Sequence, residues 1–151
     1  MHLTGTISSV LSLKKDPDII WTISPEATVF EAIKMLSDKN IGALLVMEGE
    51  KLVGILSERD YTRKVALLGR SSKETRVRDI ISTNLITVTP QHTVEECMRL
   101  MTEHKVRHLP VVENQKVVGI VSIGDLVNWI IKAQNHIIQQ MENYIQGRYI
   151  A

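Results

Sequence analysis

The chain has 151 residues, 44% of them apolar and 23% charged, and a formal net charge of +1. That length buries a sizeable core without covalent staples, and the charge balance singles out neither nucleic acid nor a membrane surface as partner. The one cysteine, Cys97, rules out an internal disulfide and suits a reducing compartment. No basic-then-apolar leader opens the chain and no apolar run nears the ~18 residues of a membrane span, so the expected location is the cytoplasm.

Residues 1–18 read as a lead-in with a short helix around Ile7 to Leu13. Ile19 to Ile23 is β-rich and stops at Pro25, since proline lacks the N–H a strand needs and suits the turn before a helix. Thr28-x-x-Glu31 then fits a capping box, followed by Val29, Ala32, Ile33 and Leu36 at helical spacing. Two dense apolar runs, Ala43 to Met47 and Lys51 to Leu56, flank Glu48-Gly49-Glu50 and predict a hairpin covered on both faces. A second helix is expected from Glu58 to about Leu68. Residues 69–83 form a linker carrying Arg70, Lys73, Arg76 and Arg78.

The pattern then returns. Thr22-Ile23-Ser24-Pro25 recurs as Thr87-Val88-Thr89-Pro90, and Gly54-Ile55-Leu56-Ser57-x-x-Asp60 as Gly119-Ile120-Val121-Ser122-x-x-Asp125. The offset is constant, because 87 − 22 and 125 − 60 both give 65. The second copy therefore has a strand over Leu85 to Thr89 and a helix capped by Thr93-x-x-Glu96 with a stripe of Val94, Cys97, Met98 and Met101. Strands Leu109 to Val112 and Lys116 to Val121 follow, then a long helix from Ile123 to about Ile145. The organisation is a lead-in (1–18), unit one (19–68), a linker (69–83), unit two (84–131) and a helical extension (132–151). Each unit reads strand-helix-strand-strand-helix, an α/β (α+β) architecture. The apolar stripe Leu126, Val127, Ile130, Ile131, Ile137, Ile138, Met141, Ile145 outruns unit two, so part of it is expected to pack on a second copy, giving a homodimer.

The two Ser-x-x-Asp turns carry the site signal. Ser57 and Ser122 fit as helix N-caps, with Asp60 and Asp125 as favourable charges in the first turn. The same groups suit a nucleotide, since a short carboxylate accepts hydrogen bonds from a ribose diol while a helix start and a serine meet phosphate or sugar oxygens. The two roles are compatible. Arg59, Arg63, Lys64 and Arg107-His108 are either solvated charges or phosphate partners. The copies differ here: Gly42-Ala43 answers Arg107-His108, and Gly124 answers Arg59, so equivalent pockets are expected to bind unequally. His104 and His108 straddle a helix end, so no metal is expected. Cys97 lies on a core stripe rather than beside a base. Six aromatic residues leave little for stacking along a nucleic-acid strand.

Together the paired Thr-x-x-Pro-x-x-Thr-Val starts, the strand Arg107-His108-Leu109-Pro110-Val111-Val112 and the Gly-Ile-Leu/Val-Ser-x-x-Asp endings resemble a tandem pair of CBS domains (cystathionine β-synthase motifs), a Bateman module. The resemblance spans roughly Ile19 to Ile131 and is nearest to small stand-alone bacterial members and plant organellar CBS-pair proteins. It implies two motifs packed about a pseudo-twofold axis, leaving two clefts for adenine nucleotides: AMP, ADP, ATP, NAD(H) or S-adenosylmethionine. By that resemblance Asp60 and Asp125 hold the ribose, with Ser57 and Ser122 beside them. Ile20 to Thr22 and Ile86 to Thr87 lie along the adenine, and Ile41, Gly42, Ala43 and Leu44 with Val106, Arg107, His108, Leu109 and Pro110 form another wall. Ser and Asp stand in both copies, so two competent clefts are expected. The function implied is a non-catalytic sensor that signals in trans to an unknown protein partner. The alternatives are an assembly module with empty clefts, or a polyanion binder using Arg59, Arg63, Arg70, Lys73, Arg76 and Arg78.

Overall fold

The protein is described here by a computed structural model that covers residues 5–14, 19–82 and 84–146. The start of the lead-in, its residues 15–18, position 83 at the end of the linker and the last residues of the helical extension, 147–151, lie outside the described residues. The elements run α1 (Ile7–Ser12), β1 (Thr22–Ile23), α2 (Val29–Lys39), β2 (Ala43–Glu48), β3 (Lys51–Ser57), α3 (Glu58–Tyr61), α4 (Val94–His104), β4 (His108–Glu113), β5 (Lys116–Ser122) and α5 (Ile123–Ile145).

The repeat is visible bond by bond. β2 pairs antiparallel with β3 and β4 with β5, and each ladder slips once, between Val46 and Met47 and between Val111 and Val112. Both hairpins close on two residues. Gly49 has φ +63°, which glycine adopts without a Cβ clash, whereas Asn114 and Gln115 both have positive φ in the second turn. α2 and α4 both end on a left-handed residue, Asn40 and Lys105, so the chain turns into the following strand in the same way. Of the two threonine capping boxes expected, the one at Thr93 and Glu96 is complete, whereas Thr28 accepts from Glu31 N–H without the reciprocal bond.

Three expectations change. The first strand of unit one shrinks to Thr22–Ile23, parallel to β2, and that of unit two to one bridge, Val88 opposite Val111. Ile23 and Val88 are buried there, and Leu85 and the half-buried Ile86, which also packs against the core of unit two, line a cavity instead of a ladder. The helix after Ser57 is α-helical for one turn and then widens into a π-helical turn over Thr62–Ala66, with Leu67 N–H donating to Thr62 O at 3.0 Å.

The third change concerns the lead-in, which is core rather than appendage. Ile7 and Val10 on α1 are buried with Val94, Cys97, Leu109, Val121 and Leu126 of unit two. Ile7 N–H donates to His92 O (2.8 Å), Gly5 O accepts from Val94 N–H (2.8 Å), and a Cβ on Gly5 would overlap the Trp129 ring. The linker plays the matching part in unit one: Val77 and Ile80 are buried with Val29, Leu44 and Leu56, and Thr75 O accepts from Val29 N–H (2.9 Å). Each half is thus completed by the segment that precedes the other unit.

Candidate functional site

A cavity of about 410 Å³ lies between the halves, within the ~300–1,000 Å³ range of small-molecule sites. Its first wall is the end of β3 and the helix that follows. Ser57 N–H and Ser57 Oγ–H both donate to Asp60 Oδ2 (2.9 and 3.0 Å), and Asp60 N–H donates back to Ser57 Oγ (3.3 Å). This capping box fixes the carboxylate at the cavity's edge. Lys64, one turn on, reaches Asp60 Oδ1 (3.3 Å) and Ile80 O (3.0 Å). Arg59, Arg63 and Lys64 all line the space, the last two from the π-helical turn. Of the roughly four acceptor positions a carboxylate offers, Ser57 and Lys64 take three, and a second becomes free for an incoming donor when Lys64 turns away.

The opposite wall comes from unit two. Leu85, Ile86, Val106 and Pro110 supply apolar surface, with Ile55 of β3 on the near side, and Lys105 and Arg107 add charge. Lys105 holds φ +54°, a left-handed conformation that costs an L-residue about 1–2 kcal/mol. Along β4, His108 and Pro110 face the cavity while Leu109 between them is fully buried, the alternation a strand imposes. Gly42 meets His108 across the halves, for a Cβ on Gly42 would lie 3.2 Å from His108 Nε2. Burial pushes the His108 pKa down, opposed by the Asp125 charge, so its imidazole is neutral at pH 7. Five cations face two acids, Glu58 and Asp60, around this space.

Of the expected site residues, Gly42, Ser57, Arg59, Asp60, Arg63, Ile86, Arg107, His108 and Pro110 meet at this cavity. Ile20, Thr22, Ile41, Ala43, Thr87, Leu109, Ser122 and Asp125 are not part of its lining. Ala43 and Leu109 are buried, and Thr22 belongs to the β1–β2 ladder. Asp125 closes its own capping box, with Ser122 N–H donating to Oδ2 (2.9 Å), and pairs with Lys14 at 3.1 Å. Ile55, Ser82, Asn84, Leu85 and Lys105 line the cavity without having been expected there. Lys105 was recognisable as the counterpart of the helix-ending Asn40, but nothing local marks Asn84.

Other candidate chemistries find little support. Cys97 is buried in the core and its thiol is pushed up to about 11 by burial, so it is a poor nucleophile. Among the described residues no group of three or more His, Cys, Asp or Glu side chains is placed to hold a metal. No helix among them is long and apolar enough to cross a membrane. The linker cations do not form a free basic stripe: Arg76 and Arg78 both pair with Glu26, and Lys73 lies 5.1 Å from the Phe30 ring centre.

Comparison with known proteins bears on the same residues. The CBS domain family model matches twice, over residues 13–67 and 77–132. The CBS domain-containing protein CBSX3, mitochondrial, of Arabidopsis thaliana is 42% identical over 151 residues, covering 95% of this chain and 73% of its own. A CBS-domain protein from Burkholderia ambifaria superposes with a TM-score of 0.83 at 47% identity, covering 85% of this chain and 96% of its own. A hexameric CBS-CP12 protein from bloom-forming cyanobacteria superposes with a TM-score of 0.73 at 27% identity, over 83% of this chain and 68% of its own.

Proposed function

This chain belongs to the CBS domain family as a tandem pair, and from that premise we propose that it is a non-catalytic regulatory module binding an adenine nucleotide (AMP, ADP, ATP or NAD(H)) between its halves. The observation that carries this reading is the convergence of Asp60, an apolar wall and five cations on one cavity. Asp60 accepts the ribose hydroxyls through its remaining lone pairs. Ile55, Ile86, Val106 and Pro110 enclose the base. Arg59, Arg63, Lys64, Lys105 and Arg107 take the phosphates, Lys64 turning from Asp60 to do so. The same cations disfavour S-adenosylmethionine, whose sulfonium is positive.

A ligand touching both walls ties the halves together, and a partner that distinguishes the tied from the untied form reads its concentration. The reading includes a homodimer formed through α5, which exposes Val127, Ile131, Ile137, Ile138, Met141 and Ile145. The lone thiol and the absence of a disulfide favour the cytoplasm.

Titration calorimetry with adenosine, AMP and ATP tests the assignment. Affinity is expected to rise in that order, by roughly tenfold or more from adenosine to ATP, because each charge-assisted phosphate contact contributes about 1.5–3 kcal/mol. The gain should shrink with salt but the adenosine affinity should not. No heat with any of the three, or equal affinity for all, contradicts the assignment. A steep salt-dependent affinity for single-stranded oligonucleotide in its place would favour the polyanion reading.

A further inference from the structure

The two units share a backbone plan but surround their Ser-x-x-Asp turns with different side chains. We propose that only the cleft of Asp60 takes a nucleotide, and that Lys14 is the built-in occupant of the other; this rests on the nucleotide reading above.

The first observation is the partner of Asp125. Lys14 Nζ lies 3.1 Å from Asp125 Oδ2 and donates to Ile120 O at 2.9 Å, and it reaches there from 111 residues away. It is delivered by α1, whose Ile7 and Val10 are locked into the core of unit two. Lys64 makes a similar pair of bonds at Asp60, to Oδ1 and to Ile80 O, but it does so as an i,i+4 neighbour on the same helical segment, with a side chain 43% exposed. What distinguishes Lys14 is its origin: it enters from a separate segment whose helix is locked into the core of unit two, so it cannot turn outward along a helix surface as Lys64 can, and a ribose diol at Asp125 meets a carboxylate that stays paired.

The second observation is what stands at the matching position of the first cleft. Gly5 O accepts from Val94 N–H as Thr75 O does from Val29 N–H, and Leu11 faces Gly119 as Ile81 faces Gly54. Since 75 − 5 and 81 − 11 both give 70, Lys14 corresponds to residue 84, where the chain has Asn84. Asn84 lines the Asp60 cavity and carries no charge. One cleft is therefore open beside a neutral amide, and its twin is plugged by an ammonium.

The third observation concerns phosphates. Arg59, Arg63, Lys64 and Lys105 around the first cavity have Gly124, Asn128, Trp129 and Asn40 as their counterparts at the 65-residue offset. A phosphate chain in the second cleft would find none of those four cations. The unequal binding expected from Arg59 and Gly124 alone extends, on this account, to one ligand per chain.

Calorimetry with ATP on three proteins tests this. The wild type is expected to bind one ATP per chain. Lys14→Asn, which copies the first cleft's amide into the second, is expected to add a second event roughly tenfold or more weaker, for want of phosphate partners. Asn84→Lys, which copies the plug into the first cleft, is expected to abolish the wild-type event while leaving the melting temperature near its wild-type value. Two equivalents in the wild type, or a single one in Lys14→Asn, would overturn the inference and leave the nucleotide reading standing. No binding by wild type and Lys14→Asn alike would remove both together.

Discussion

Asp60→Asn is expected to lower the affinity for adenosine and for ATP alike by about tenfold or more. The carboxylate is aimed into the cavity by its own capping box, and two charge-assisted bonds to a ribose diol weaken when the charge is removed. Asparagine keeps an amide oxygen that can still accept from Ser57 N–H, so the helix start survives and stability should fall by no more than about 1 kcal/mol. A loss for adenosine as well as for ATP is the diagnostic part. Removing an acid from a cavity rich in cations raises its positive potential, which on its own would favour ATP. Calorimetry with both ligands therefore separates a ribose contact from a change in background charge. Unchanged affinity in a normally folded variant would reduce Asp60 to a helix cap.

Ile7→Ala is expected to cost about 2–5 kcal/mol, on the order of 5–15 °C in melting temperature for a domain of this size. The side chain is fully buried, and its own N–H and the preceding segment are hydrogen-bonded to the loop before α4. If the first residues were only a lead-in laid on the surface, the same truncation would change stability by roughly 0.5 kcal/mol or less. Thermal unfolding followed by circular dichroism distinguishes the two. The variant also bears on function, because α1 delivers Lys14 to Asp125.

Much of this was legible because the chain repeats itself. The duplicated Gly-Ile-x-Ser-x-x-Asp segments located both hairpins and both helix starts, and Thr28 and Thr93 marked α2 and α4 within a residue. Legibility failed where a contact is long-range or a local preference is overruled. Nothing around Ile7 or Val10 says that α1 belongs to the second unit, since the six-residue helix takes its place from partners about eighty residues on. Leu85 and Ile86 carry a strand-like pattern, yet the ladder claims only Val88 and the other two serve the cavity wall. Asp60 and Asp125 look interchangeable in sequence. In the fold each meets a lysine, Lys64 from four residues on at Asp60 and Lys14 from 111 residues away at Asp125, and only the first pairing could be read from spacing.

The central claim is that an adenine nucleotide seats between the halves against Asp60. The most direct measurement is the amide spectrum of uniformly ¹⁵N-labelled protein during titration with ATP. The account predicts saturable shifts at Ser57, Asp60, Lys64, Ile86 and Lys105 to His108, drawn from both units at once. A spectrum that does not move, or shifts confined to the exposed face of α5, would contradict it.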